Sequence, residues 1–428
     1  MTTFMKFPGF FFVLIVLIVF ACSKSEITPP PSGDDANLAG TAPLPFTGGA
    51  TIKSLEGIYE LESGSENLGT QFVCKVSKYK VSFFSNTTGI HILLKYGYKA
   101  SDGSVQFSGF WRASESPDQG NIQFVVSAAN GATDLLGGVI TNLKLQGMFS
   151  GKQVNLKFKK NFTAFATNNP FMVFAHHGIQ TTVDPPYAEN SINMILNAED
   201  YGVTGLELDV RMTKDNVPIL IHDATINTRL TKKGPLFGSW DLYSFALITQ
   251  FVTLIDGQKV PSVEQALIAF VDETNLKYFW MDIKGNSDIF KYLEPIVRNA
   301  YARAAVKNRD VVIFAGLPSS DVIAELKKQP TYQSNNPAYF YSLPLPTLAE
   351  ETMDKAIENG CQFFGPRYTL GLLLPDVQKG HSQSPPIKSI SWTLNARGLI
   401  NNYLLNGEFD GMITDYPTYV VYDFYTLF

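Results

Sequence analysis

The sequence predicts an α/β protein built from two architectures in series. A small all-β domain, sandwich or barrel, is expected over residues 46–165, followed by a (β/α)8 barrel over residues 166–428. Three observations predict this. At 428 residues the chain is too long for one ordinary domain. Its first part carries short β-branched or aromatic runs punctuated by Gly, Asn, Ser and Asp, with little helical periodicity. After Asn161 strand-like runs alternate with helix-length amphipathic segments. Hydrophobic residues make up 45% and charged residues 17%, a globular composition. The net charge of -5 argues against nucleic acid as a partner, because phosphate backbones need a basic surface.

At the start, Lys6 precedes an apolar run over residues 10–21 that ends at Cys22. This is the layout of a signal peptide over residues 1–21, and the run is short for a membrane span. Val19-Phe20-Ala21-Cys22 resembles a bacterial lipobox, in which the Cys is acylated and becomes the new N-terminus. The expectation is a lipidated Cys22 and a flexible linker over residues 22–45, since residues 23–41 are rich in Ser, Pro, Gly, Asp and Ala. The protein is then an exported lipoprotein held on a membrane, periplasmic or at the cell surface. Cys74 and Cys361 fall in different domains and read as buried free thiols.

In the all-β part, strands are expected at 72–76, 81–84, 91–96, 105–107, 122–126 and 154–158. The last alternates apolar and polar residues, as a half-buried strand does. No constellation of catalytic groups appears there. His91 stands alone and reads as structural, and Trp111 reads as core.

In the second part, strands are expected at 172–175, 205–210, 219–222, 278–283, 311–315, 339–342, 362–365, 389–393 and 411–414. Helices are expected at 191–201, 262–271, 289–304, 321–328, 347–359 and 398–405. No glycine-rich dinucleotide fingerprint follows the first strand, which favours a closed barrel over a doubly wound sheet.

Active groups of such barrels sit at the C-terminal ends of the strands. Four successive strand regions here carry ionisable residues: His176-His177-Gly178, Glu207-Leu208-Asp209, His222-Asp223 and Asp282-Ile283-Lys284. Glu207 and Asp209 are two apart on a strand and point to the same side. Converging carboxylates repel unless a cation or a proton lies between them. Hard oxygen donors suit Mg2+ or Ca2+, with Asp282 as a third ligand. Lys284 shares a face with Asp282 and suits a ligand with several anionic oxygens. His176 and His222 are candidates for general acid and general base.

These residues carry a specific resemblance. Phe174-Ala175-His176-His177-Gly178, Glu189-Asn190-Ser191, Gly205-Leu206-Glu207-Leu208-Asp209-Val210 with Thr213-Lys214-Asp215, and Ile221-His222-Asp223 closely resemble the glycerophosphodiester phosphodiesterase family. Val260-Pro261-Ser262-Val263-Glu264, Ser391-Trp392-Thr393-Leu394-Asn395 and Asp410-Gly411-Met412-Ile413-Thr414-Asp415-Tyr416-Pro417 extend the likeness. The resemblance implies a TIM-type barrel, a divalent cation, commonly Ca2+ or Mg2+, and hydrolysis of glycerophosphodiesters to glycerol 3-phosphate and an alcohol. It implies Glu207 and Asp209 as metal ligands, His176 and His222 as the acid/base pair, Lys284 as a phosphate contact and Trp392 as a wall of the glycerol pocket. It places Glu189 near the metal and the first His, among the substrate-binding residues with His177, Lys284 and Trp392.

Three departures stand out. His177 replaces an Arg, Asp282 replaces a Glu, and Ala188 replaces a Pro. An imidazole has a reference pKa of about 6.5, so a partly protonated His177 gripping phosphate is expected to bind more weakly as pH rises. Asp282 followed by Lys284 also resembles sphingomyelinase D-type phospholipases, which share the barrel and form cyclic phosphates. A catalytically decayed barrel that binds phosphodiesters is a further alternative.

Overall fold

The computed structural model describes residues 27–31, 35–44, 52–77, 80–85, 89–178, 185–284, 287–317, 320–328, 345–348 and 352–428. The expected signal peptide and Cys22 lie outside them. Within the expected linker, residues 27–31 and 35–44 are held against folded structure. Ala42 bridges to Tyr98, Asn37 donates to the Phe107 carbonyl, and Arg112 donates to the Thr28 carbonyl.

The first domain is a closed antiparallel barrel rather than a sandwich. Its strands are β1 (Gly57–Ser63), β2 (Gln71–Val76), β3 (Val81–Ser85), β4 (Ile90–Lys99), β5 (Ser104–Ala113), β6 (Gln119–Val126), β7 (Lys144–Phe149) and β8 (Lys152–Lys160), and β8 returns to pair with β1. Closure leaves no sheet edge unpaired. Tyr59, Phe72, Phe83, Phe107 and Phe124 fill the interior.

The second domain is the expected parallel barrel. Its strands are β9 (Met172–His176), β10 (Gly205–Met212), β14 (Tyr278–Ile283), β15 (Val312–Leu317), β16 (Leu345–Leu348), β17 (Phe363–Phe364), β18 (Lys388–Ser391) and β19 (Gly411–Thr414), and β9 pairs with both β10 and β19. Phe174, Trp280, Phe314 and Phe363 pack ring against ring inside it. Gly316 is required here, because a Cβ would lie 2.3 Å from Trp280 Nε1.

Two expectations are corrected. The run 219–222 is not a barrel strand: β11 (Pro218–Leu220) turns back antiparallel along β10, and a small hairpin of β12 (Thr225–Ile226) and β13 (Gly238–Ser239) follows. Residues 345–348 are strand, so the helix expected from 347 begins only at Met353, where Thr352 accepts from the Lys355 amide. The strand expected at 339–342 lies outside the described residues.

The outer helices include α1 (Ile192–Asn197), α2 (Phe245–Phe251), α3 (Val263–Glu273), α4 (Phe290–Val306) and α5 (Pro417–Leu427). Ser262 caps α3 in a reciprocal box with Gln265. Helix α5 packs on β2 and β3 as well as on β9, so the two barrels share one apolar cluster that joins Val73 and Phe84 to Tyr419 and Val421. Among the described residues no helix is long and apolar enough to cross a membrane.

Candidate active site

The parallel register sets the site. Glu207 on β10 lies beside His176 on β9, and Asp209 lies beside Asp282 on β14. Period-two alternation then sends the three carboxylates to one place. Glu207, Asp209 and Asp282 each offer an oxygen within 4.8 Å of the others. Lys284 follows β14, its amide tied to the Val210 carbonyl. Its Nζ stands 2.6 Å from Asp282 Oδ2 and 3.2 Å from Asp209 Oδ1.

A cavity of about 450 Å3 opens over this cluster, lined by His176, His177, Glu207, His222, Asp282 and Lys284 on one side and by Arg367 and Trp392 among others. Asp209 is completely buried beneath it. Asn190, in the left-handed region at φ 57°, holds Asp209 from two sides: its Nδ2 donates to Oδ2, and its Oδ1 accepts from the Asp209 amide. The His177 amide donates to Glu207 Oε2.

Each candidate acid/base ring is gripped at Nδ1 by a carboxylate. His176 Nδ1 lies 2.7 Å from Asp415 Oδ1, and His222 Nδ1 lies 2.8 Å from Asp223 Oδ1. A donor at Nδ1 leaves Nε2 for the reacting atoms. The carboxylates are themselves held: Asn395 donates to Asp415, and Arg229 donates to Asp223 with Nε and Nη2. Burial pushes His176 down, but the Asp415 hydrogen bond and the Glu207 charge outweigh it and raise the ring to about 9. Burial also opposes ionisation of Asp223, yet Arg229 and His222 hold it well below the usual carboxylate range.

The cluster fits a hard divalent cation. Burial first, then repulsion from Asp209, raises Glu207 to about 8. Burial raises Asp282 as well, against the pull of Lys284. Three carboxylates and one ammonium carry -3 + 1 = -2 when all are ionised, which a divalent ion balances. Asp209 Oδ1 is buried and accepts no hydrogen bond. Oxygen donors suit Mg2+ or Ca2+ better than softer metals.

One residue stands differently from expectation. His177 lies between the other two imidazoles, with ring centroids 3.7 Å from His176 and 4.6 Å from His222. Its Nε2 faces Asp209 Oδ2 at 3.5 Å, and burial, then the neighbouring cations, lower its pKa well below the ordinary value. The ring is therefore neutral near pH 7 instead of partly protonated. Glu189 lies beside His177, its Oε2 3.9 Å from the ring Nδ1, and Arg229 grips it with two hydrogen bonds of 2.9 and 3.0 Å. Trp392 lines the cavity, its Nε1 donating to the Gly365 carbonyl.

Sequence reasoning assigned no role to Arg229, Asp415 or Arg367. Arg367 follows β17 and stacks its guanidinium 4.7 Å over the Trp392 ring, adding a second cation to the cavity. Its signal was position, a cation just past the C-terminal end of a barrel strand. Arg229 had no such signal.

Residues 176–419 match the family model described as the glycerophosphoryl diester phosphodiesterase family. Glycerophosphodiester phosphodiesterase 1 of Mus musculus is 26% identical over 144 residues, 33% of this chain and 41% of that protein. The glycerophosphodiester phosphodiesterase of Caldanaerobacter subterraneus is 28% identical over 123 residues, 28% of this chain and 47% of that protein. The chain thus spans less than half the length of these curated relatives. A solved glycerophosphodiester phosphodiesterase of Parabacteroides distasonis is 20% identical, with a TM-score of 0.45, covering 58% of this chain and 94% of that one. A phosphodiesterase of Oleispira antarctica, solved with the product sn-glycerol-3-phosphate, is 16% identical, with a TM-score of 0.43, covering 60% of this chain and 96% of that one. The family match takes in more than half of the chain and begins at His176 itself, so this chain belongs to the glycerophosphoryl diester phosphodiesterase family.

Proposed function

We propose that the protein is a metal-dependent phosphodiesterase that hydrolyses glycerophosphodiesters to glycerol 3-phosphate and an alcohol. The observation that carries this reading is the placing of two carboxylate-gripped imidazoles beside a three-carboxylate cluster and Lys284 in one cavity. Glu207, Asp209 and Asp282 would hold Ca2+ or Mg2+, which supplies positive charge where attack on phosphorus builds negative charge. Lys284 and Arg367 hold the phosphoryl oxygens from their own positions on the wall. Trp392 gives the glycerol carbons an apolar face. One imidazole takes the proton of the attacking oxygen at Nε2, and the other delivers a proton to the departing alkoxide. Asp415 and Asp223 keep both rings in the tautomer that this exchange needs.

The same reading makes the protein an exported lipoprotein, held on a membrane by an acylated Cys22. Lys6, the apolar run of residues 10–21 and Val19-Phe20-Ala21-Cys22 support it.

The test is a panel of glycerophosphodiesters and lysophospholipids assayed with Ca2+, with Mg2+ and with chelator, the products identified by phosphorus NMR. Glycerol 3-phosphate released only with a cation supports the proposal. Cyclic phosphate as the end product replaces it with intramolecular transfer of the sphingomyelinase D type. Cation-dependent binding without turnover of any substrate replaces it with a binding protein.

A further inference from the structure

After β11 the chain leaves the barrel, and residues 224–260 fold over the strand ends with a small apolar core of Leu230, Trp240, Ile248, Val252 and Leu254. The inner side of this segment is fixed to the active site: Trp240 Nε1 donates to the Asp223 carbonyl. Its outer side exposes large apolar side chains. Phe237 is 77% exposed, Leu242 58%, Leu247 42% and Phe251 41%, four of the twelve large exposed hydrophobics among the described residues, all within fifteen positions of sequence. They fall in two neighbouring groups. Leu242 Cδ1 sits beside Gly238, Tyr243 Oη donates to the Phe237 carbonyl, and Leu247 and Phe251 are one turn apart on α2. Exposed Lys232 and Lys233 flank the strip, in a chain whose net charge is -5. A concentrated apolar strip with a cationic edge marks a surface that something covers.

The anchored reading says what covers it. The described residues start at Ile27, and the Thr28 amide donates to the Pro185 carbonyl. Three residues on, the Ala188 amide donates to Asp256 Oδ2, at the base of the same segment. From Cys22 to Ile27 a fully extended chain reaches at most ~18 Å. A lipid on Cys22 therefore brings a bilayer up to this side of the barrel. A tether sets distance but not orientation; the strip supplies orientation.

We propose that Phe237, Leu242, Leu247 and Phe251, with Lys232 and Lys233 at their edge, seat the protein on an anionic lipid bilayer beside the active-site mouth. Aromatic and aliphatic side chains enter the headgroup boundary while the lysines meet anionic lipid, a combination that binds interfaces. The inference rests on the anchored reading for where the bilayer lies, and on turnover not at all.

The test uses the full chain on vesicles of equimolar phosphatidylglycerol and phosphatidylcholine with brominated acyl chains. The added tryptophan of Phe237→Trp is expected to be quenched well beyond the parent's background. Adding Leu242→Asp and Phe251→Asp should abolish that extra quenching while hydrolysis of a soluble glycerophosphodiester continues unchanged. An unquenched Phe237→Trp in protein that still sediments with the vesicles overturns the proposal. So does a vesicle-independent, concentration-dependent shift of its emission together with a doubled mass in analytical ultracentrifugation, which assigns the strip to a second copy of this chain. Loss of turnover with quenching intact would count against the enzymatic reading and leave the docking surface standing.

Discussion

At the scale of single residues, the site is a set of charges that only make sense together. His176 and His222 take their orientation from Asp415 and Asp223, and acid/base groups typically contribute ~10²–10⁴-fold each. His176→Ala and His222→Ala are each expected to lower kcat by about that factor in folded protein. Asp415→Asn should also lower kcat, with KM little changed, because it disturbs the ring's tautomer and not the binding wall. A fall of only a few-fold in kcat for either histidine would remove it from the acid/base pair. Glu207→Gln takes away a carboxylate that burial and Asp209 already strain. The variant is expected to keep its fold and to lose calcium or magnesium binding in titration calorimetry. Unchanged binding heats would mean that the ion, if any, sits elsewhere. His177 is the residue where sequence and structure part. Sequence alone does not show that burial, with the charges of His176, His222, Lys284 and Arg229 around it, keeps the ring neutral.

At the scale of elements, the period of hydrophobicity did most of the work. β9, β14 and β19 were legible as largely apolar runs of strand length, β10 as an alternating one, and α3 because Ser262 precedes an amphipathic stretch. Ser262→Ala should cost about 1 kcal/mol of stability, since the hydroxyl accepts from the Gln265 amide and the site is buried. Chemical denaturation would show it; an unchanged midpoint would mean that tertiary packing alone holds the helix start. β11 was misread because a three-residue apolar run looks the same whether it joins a barrel or folds back as a hairpin. β1 and β7 escaped notice because Glu60, Glu62 and Gly147 interrupt their patterns, and only pairing with neighbours makes them strands. The candidate ligands were legible because barrel geometry puts strand ends together. Asp415 was quoted only as part of a motif, because it meets His176 across 239 positions of sequence.

At the scale of the whole molecule, the two barrels are joined by a polar knot as well as by an apolar face. Asp200, between α1 and β10, accepts from Lys80 and Ser77 of the first barrel through its carboxylate, and from Ser82 through its carbonyl. His91 of β4 completes the knot: its Nε2 lies 3.1 Å from the same carbonyl, and its ring rests on Phe84 and Tyr201. The isolation of His91 in its strand points to a structural role but not to its partner, which is 109 positions away. Burial drives its pKa down to about 3, with Arg112 and Lys80 adding to the fall and the bond to Asp200 opposing it. The unfolded chain takes a proton near pH 6.5, whereas the folded protein resists one until about pH 3. The stability that His91 contributes is therefore complete above about pH 6.5, falls as pH drops through the interval, and is gone below about 3. At pH 5 the loss relative to pH 7 is about 2 kcal/mol. His91→Gln keeps a donor for the Asp200 carbonyl and removes the titration. The variant is expected to start less stable at pH 7, having lost the ring stack, and to lose less stability between pH 7 and pH 5 than the parent. The measurement is thermal unfolding of both proteins across that range. Because the barrels share one apolar cluster, each should melt in a single transition. Parallel pH slopes would show that His91 does not set the acid response, and two separate transitions would show that the interface does not couple the barrels.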